Sequence, residues 1–239
     1  MIFAAGLGTR LKPMTNTIPK ALVSVGGKPL LQHTIEKLKG AGFDEIIINL
    51  HHFPEQIIDF VEANNHFGIR IEYSDEREKL LNTGGAIKKA SWFFDDNEPL
   101  LIHNVDILSN LDLEWIIDRH REQQTMATLV CSQRKTSRYL FFDESDRLKG
   151  WMNEKTGARK SPFSDFKPKK HQKLAFSGIH IIEPTIVELM KDWPGTFSII
   201  DFYLEMCRDH TITSSVPPHF QMIDVGKPEA MIEAESFLI

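Results

Sequence analysis

Cysteine is nearly absent. Cys131 and Cys207 stand alone in 239 residues with no C-x-x-C pair, which leaves no material for a disulfide framework or a thiolate zinc site. Both read as small buried hydrophobes of a protein from a reducing, cytoplasmic compartment. No apolar stretch approaches the roughly 20 residues of a membrane span, so no membrane partner is expected. A basic n-region with a cleavage site is missing as well. The chain opens almost inside its first apolar run, which leaves the native start open. Lys and Arg number 28 against 33 Asp and Glu, for a net charge of −5. That balance lacks the basic footprint of a nucleic-acid binder, although a local phosphate site needs no global excess. There is no internal repeat, no linker and no evident His or Cys dyad for nucleophilic catalysis. A single domain, 1–239, with lobes 1–112 and 113–239, is the expected organisation.

What is present suffices for a core: 41% of residues are apolar and 26% charged, ordinary values for a globular protein. The first hundred residues alternate short apolar strands (Ile2–Ala5, Glu45–Leu50, Ile69–Ser74, Leu100–His103) with amphipathic segments (Pro29–Ala41, Pro54–Asn64, Gly85–Phe93). Gly42 is placed to stop the first of these helices. This order predicts an α/β, Rossmann-like, mixed but mostly parallel sheet with helices on both faces. Beyond a helix at Leu113–Gln124 the pattern turns to strands at Ala127–Ser132, Tyr139–Asp143, Leu148–Asn153 and Leu174–Ile182. A polar stretch, Lys155–Gln172, has no hydrophobic period and reads as a long mobile loop. Helices at Pro184–Lys191 and Ile199–Asp209, a strand at Phe220–Val225 and a helix opened by Pro228 complete the chain.

The first strand ends in Ala4-Ala5 and turns through Gly6-Leu7-Gly8-Thr9-Arg10, with Pro19-Lys20 shortly after. Glycine backbone amides can close around an anion and the two cations can neutralise it. A dinucleotide fold would need a third glycine at Leu11 and an acidic residue about 20 positions on; a P-loop would need G-x-x-x-x-G-K-[ST]. Neither is met, so the loop alone reads equally as a phosphate site or as a tight turn with solvated cations. Asp106 lies just past a predicted strand and Asp224 at the end of another, where ligands of parallel sheets gather. Two such carboxylates suit Mg²⁺, which takes oxygen ligands and shares its shell with phosphates. Each could instead cap a turn, Asp224 the helix that starts at Lys227. His51-His52 reads as a loop pair, and Trp151, Phe163 and Phe166 as packing or as a pocket border.

These residues carry a resemblance to the sugar-1-phosphate nucleotidyltransferases. The matching pieces, in family order, are AAGLGTRLKPMT (Ala4–Thr15), PKAL (Pro19–Leu22), NTGGAI (Asn82–Ile87), NVD (Asn104–Asp106), NEK (Asn153–Lys155), FSGI (Phe176–Ile179) and IDVGKPE (Ile223–Glu229). The resemblance implies a nucleotide-diphospho-sugar transferase fold with a sugar-binding lobe. It implies that Ala5, Gly6, Gly8, Thr9, Arg10 and Lys20 hold the nucleotide phosphates. It places Thr83 and Gly84 near the base, Asn104 near a ribose or sugar, and Asn153, Glu154, Lys155, Ser177 and Gly178 around the sugar phosphate. Asp106 and Asp224 would bind Mg²⁺, and with Arg10 and Lys20 would form the catalytic set. The implied partners are a nucleoside triphosphate and a sugar 1-phosphate, and the implied state is a monomer or small homo-oligomer.

Departures from the pattern bear on the substrate. Leu80 stands where many relatives that read thymine or uracil carry glutamine; Val105 replaces a glycine, Ala21 a proline and Phe176 an asparagine. The T-G-G, F-S-G-I and I-D-V-G pieces and the short length most resemble N-acetylmuramate-1-phosphate uridylyltransferases. N-E-K looks more like mannose-1-phosphate guanylyltransferases and other hexose-1-phosphate enzymes. A muramyl substrate would need a cation for its carboxylate, with Arg138, Arg147 and Lys167–Lys173 as candidates. A regulatory subunit of the same fold is the non-enzymatic alternative.

Overall fold

The computed structural model describes residues 1–94 and 98–238. It resolves into two compact units that interleave in sequence: Met1–Leu81, Ile102–Leu113 and Gln221–Ile239 form the first, Asn82–Leu101 and Glu114–Phe220 the second. These cuts differ from lobes drawn at 112/113, because the last segment returns to the first unit and Asn82–Leu101 packs with the second.

The first unit is built on parallel strands. Ile2–Phe3 lies between Glu45–Leu50 and Leu100–Asn104, with Ile2 opposite Ile48 and His103; Arg70–Asp75 pairs with the far side of Glu45–Leu50. Five of the six residues of Glu45–Leu50 are buried, which is why this strand reads as a continuous apolar run. Each fully buried Ile or Leu contributes about 1.5–3 kcal/mol over its exposed state. Parallel strands all end on one side, so the segments after Phe3, Leu50, Asp75 and Asn104 emerge together. The helix Leu30–Gly40 stops as expected at Gly42, where φ is 87°. Phe43 N–H donates to Leu38 and Gly42 N–H to Lys39, the paired closing bonds that a left-handed residue makes possible.

The second unit is mostly antiparallel. Gln172–Ile182 pairs with Ala127–Ser132 on one side and Arg138–Phe142 on the other; Leu148–Asn153 follows, and Ile212–Ser215 runs parallel to Ala127–Ser132. The sheet is therefore mixed, with helices, as expected. Several boundaries differ. The helix expected at Gly85–Phe93 is Asn82–Lys89 followed by a tighter turn, Ala90–Phe93. Pro184–Lys191 contracts to Ile186–Leu189. Strands at Ile107–Ser109 and Ile212–Ser215 were not expected. The stretch read as the loop Lys155–Gln172 carries a strand, Arg159–Lys160, on the edge of Leu148–Asn153 and a turn at Pro168–Lys170. Phe166 anchors it, packing edge-on against Phe141 at 5.7 Å and over His171 at 5.5 Å, so this aromatic is a packing residue.

Candidate active site

The turn after Ile2–Phe3 is held open by its second glycine. Gly8 has φ +61°, and a Cβ there would lie 2.7 Å from Thr15 Cγ2 and 3.2 Å from Lys20 Cβ. Its carbonyl points inward and accepts from Leu11 N–H and Thr15 Oγ1, both at 2.8 Å. The backbone N–H groups of Gly6, Leu7 and Gly8 donate to no group among the described residues, and Gly6 has open space where a side chain would be. Free amides beside exposed Arg10 are the features of an anion cradle.

Lys20 packs beneath the turn and forms an ion pair with Asp106 Oδ2; the two side chains are only 10% and 19% exposed. Asp106 follows the Leu100–Asn104 strand, and the next three residues, Ile107–Ser109, pair antiparallel with Met222–Asp224. Val225 N–H donates to the Asp106 carbonyl at 2.8 Å, so Asp106, in the turn before one strand, lies beside Asp224 at the end of the other. The helix Pro228–Phe237 has Lys227 at its N-cap and no side-chain capping bond, which leaves Asp224 free of the capping role. Buried Gly226 brings a second cation in. A Cβ on it would lie 2.6 Å from both Arg10 Nη2 and Asp224 Oδ1. Gly8, Lys20, Asp106, Asp224 and Arg10 thus form a closed circuit of neighbours within the first unit. Asn104 ends the same strand, its carbonyl accepting from His103 Nδ1 at 2.8 Å.

Sequence reasoning missed one residue of this site, Gly226, and two buried residues behind it: Asn49, whose Oδ1 accepts from Ala4 and Ala5 N–H, and Glu76, whose Oε1 accepts from Asn49 Nδ2. Gly226 was visible as part of IDVGKPE. Asn49 is a polar residue inside the run Ile46-Ile47-Ile48-Asn49-Leu50, and that interruption was its signal. Glu76, 1% exposed, had none. His51 and His52 are a loop pair as read, bonded to the carbonyls of Glu76 and Thr15.

In the second unit Thr83 Oγ1 accepts from Ile199 N–H at 2.9 Å, and Gly84 N–H donates to Phe197 at 2.9 Å. Gly84 lies so close to the Phe197 ring that a Cβ would overlap it. Asn153 organises a turn, its Oδ1 accepting from Lys155 and Thr156 N–H. Glu154 pairs with Lys173 at 2.8 Å, and Lys155 is exposed. Ser177 is buried; its hydroxyl donates to Val130 at 2.8 Å and accepts from Ile179 N–H. Gly178, at φ 83°, sits in the bulge between Phe176 and His180. Arg134, not singled out in the sequence, donates to the Phe176 carbonyl at 3.1 Å. Cys131 and Cys207 are free and buried, and burial raises both thiols, Cys207 to about 12.

This architecture is that of nucleotide-diphospho-sugar transferases. A putative glucose-1-phosphate thymidylyltransferase from Bacillus anthracis, solved with sucrose, shares it at TM-score 0.80 and 19% identity over 99% of this chain and 93% of that one. The model of the nucleotidyl transferase family matches residues 1–239, and the chain belongs to that family. It is 30% identical to the N-acetylmuramate alpha-1-phosphate uridylyltransferase of Caulobacter vibrioides, over all of this chain and 96% of that protein. Identity to the UTP–glucose-1-phosphate uridylyltransferase of Synechocystis is 28% over 95% of this chain, which spans 60% of that relative. HddC of Yersinia pseudotuberculosis, solved with GMP-PN, is 25% identical at TM-score 0.77, covering 100% of this chain and 98% of that one.

Proposed function

We propose that the protein transfers a nucleoside monophosphate from a nucleoside triphosphate to a sugar 1-phosphate, releasing pyrophosphate, with UTP and N-acetylmuramate 1-phosphate as its pair. The observation that carries the reaction is the circuit of Gly8, Lys20, Asp106, Asp224 and Arg10: a cradle of free amides flanked by two cations and two carboxylates. The Caulobacter relative supports the substrate pair, since the match runs the length of both chains.

A sugar 1-phosphate oxygen is already anionic at neutral pH, its second pKa lying near 6, so no protein base is needed. The barrier is the approach of two polyanions, and lowering it requires positioning and charge neutralisation. Arg10 and the Gly6–Gly8 amides would hold the β- and γ-phosphates in line with the departing bond. Lys20, neutralised by Asp106 in the free protein, would turn to the α-phosphate, where negative charge builds up. Among the described residues no group of three or more His, Cys, Asp or Glu side chains is placed to cage a metal. Asp106 and Asp224 fit magnesium, which is held by one or two carboxylates with phosphate oxygens and water completing six positions. Bound there, it would supply Lewis-acid neutralisation of phosphate charge.

Pyrophosphate release, read across a matrix of nucleoside triphosphates and sugar 1-phosphates with magnesium, tests this reading. UTP with N-acetylmuramate 1-phosphate should give the highest kcat/KM. A clear preference for GTP with mannose 1-phosphate would overturn the substrate assignment. No pyrophosphate with any pair would overturn the reaction.

A further inference from the structure

Glu76 poses a problem that the site as described does not answer. It is 1% exposed, and a buried carboxylate without a cation is costly unless each oxygen is hydrogen-bonded. Among the described residues each oxygen has one partner. Oε1 accepts from Asn49 Nδ2 at 2.8 Å, and Oε2 accepts from Leu81 N–H at 3.0 Å. The Glu76 backbone is fixed as well: its N–H donates to Leu50 at 2.7 Å and its carbonyl accepts from His51 Nδ1 at 2.7 Å.

Asn49 is the next link. Its Oδ1 accepts from the N–H groups of Ala4 and Ala5 at 2.7 and 3.3 Å, the two residues from which the glycine turn departs. The oxygen and nitrogen of a side-chain amide are told apart by their hydrogen-bond partners, and these partners leave one orientation. Two backbone donors require the oxygen, and the carboxylate opposite requires the NH₂. The result is an unbroken line from the Ala4–Ala5 end of the phosphate turn, through Asn49 and Glu76, to Leu81. Leu81 adjoins Leu80, the position at which the resemblance places a base-reading side chain, and precedes the Asn82-Thr83-Gly84 segment.

We propose that Asn49 and Glu76 are a positioning relay that sets the phosphate turn and the Leu80–Leu81 segment in a fixed relation, so that a triphosphate and its base are gripped in one register. This rests on the nucleotidyl-transfer reading above. A carboxylate suits the Glu76 position because it accepts at both ends. Glutamine there would face either Asn49 or Leu81 with a donor against a donor. Aspartate at position 49 would face Glu76 with an acceptor against an acceptor. The two changes together restore every pairing: Asp accepts from Ala4 and Ala5 and from the Gln amide, while the Gln oxygen accepts from Leu81.

The test is therefore a reciprocal swap. Glu76→Gln and Asn49→Asp should each raise KM for the nucleoside triphosphate by about tenfold, the effect of a ~1.4 kcal/mol misfit, while KM for the sugar 1-phosphate stays within twofold. The double variant Asn49→Asp/Glu76→Gln should recover most of the loss. A double variant no better than the worse single one overturns the relay, as does an equal rise in both KM values. Amide exchange measured by NMR decides the point without turnover. Glu76→Gln should speed exchange at Ala4 and Ala5 as well as at Leu81, and a change confined to Leu81 would show that nothing is relayed. Wild-type protein inactive with every substrate pair would refute the transfer reaction and leave this exchange result to judge the relay.

Discussion

At the scale of single residues, Asp106 is the place where structure and proposed chemistry compete. Its carboxylate neutralises Lys20, which is 10% exposed, and truncation would leave that ammonium largely desolvated without a partner. Asp106→Ala therefore confounds loss of function with loss of stability. Asp106→Asn separates them, because the amide oxygen still accepts from Lys20 while the negative charge is gone. We expect Asp106→Asn to keep the melting temperature within a few degrees and to reduce kcat by about 10²–10³-fold, the size seen when one charge-stabilising group is removed from a transition state. Turnover within threefold of wild type would remove Asp106 from the catalytic set.

At the scale of elements, legibility in the sequence followed burial. Glu45–Leu50, Ala127–Ser132 and Leu148–Asn153 were placed to the residue, because continuous or alternating apolar runs bounded by turns leave few choices. Short strands such as Ile107–Ser109 are set by pairing with Met222–Asp224, more than a hundred residues away, and no local pattern announces them. The helix at Asn82–Lys89 was misplaced because Asn82-Thr83-Gly84-Gly85 has poor helix propensity; tertiary contacts override it. Thr83 Oγ1 takes the Ile199 N–H, and Gly84 admits the Phe197 ring. The motifs that carry the resemblance exposed Gly8, Lys20, Asp106 and Asp224, whereas the buried partners Asn49 and Glu76 belong to no motif. Gly84→Ala should improve helix propensity yet destabilise the protein by about 1–3 kcal/mol, since buried Phe197 must move to admit the methyl group. Chemical denaturation gives the answer, and an unchanged or raised midpoint would mean that the ring yields freely.

For the whole molecule, two buried imidazoles make the core sensitive to acid. His103 and His180 are each 1% exposed. Burial lowers their imidazoles, the first to about 4 and the second to about 3. In the unfolded chain both return to about 6.5. Between those limits the unfolded state binds protons that the folded state refuses, so stability is fully present above about 6.5 and falls as pH drops towards 4. Each histidine contributes a slope of about 1.4 kcal/mol per pH unit, and both together could remove much of an ordinary domain's 5–15 kcal/mol by pH 4.5. The two are not equivalent. His103 Nδ1 has the Asn104 carbonyl, but neither ring nitrogen of His180 has a hydrogen-bond partner among the described residues. Its ring instead meets Phe176 at 5.4 Å and Tyr203 at 5.8 Å. Replacing an unsatisfied polar group by an apolar one of similar size can be neutral or stabilising. His180→Leu should accordingly hold or raise the melting temperature at pH 7.5 and roughly halve the loss of stability between pH 6.5 and pH 4.5. Urea titrations at those three pH values measure both effects, and an acid slope as steep as wild type would show that His180 does not carry its share.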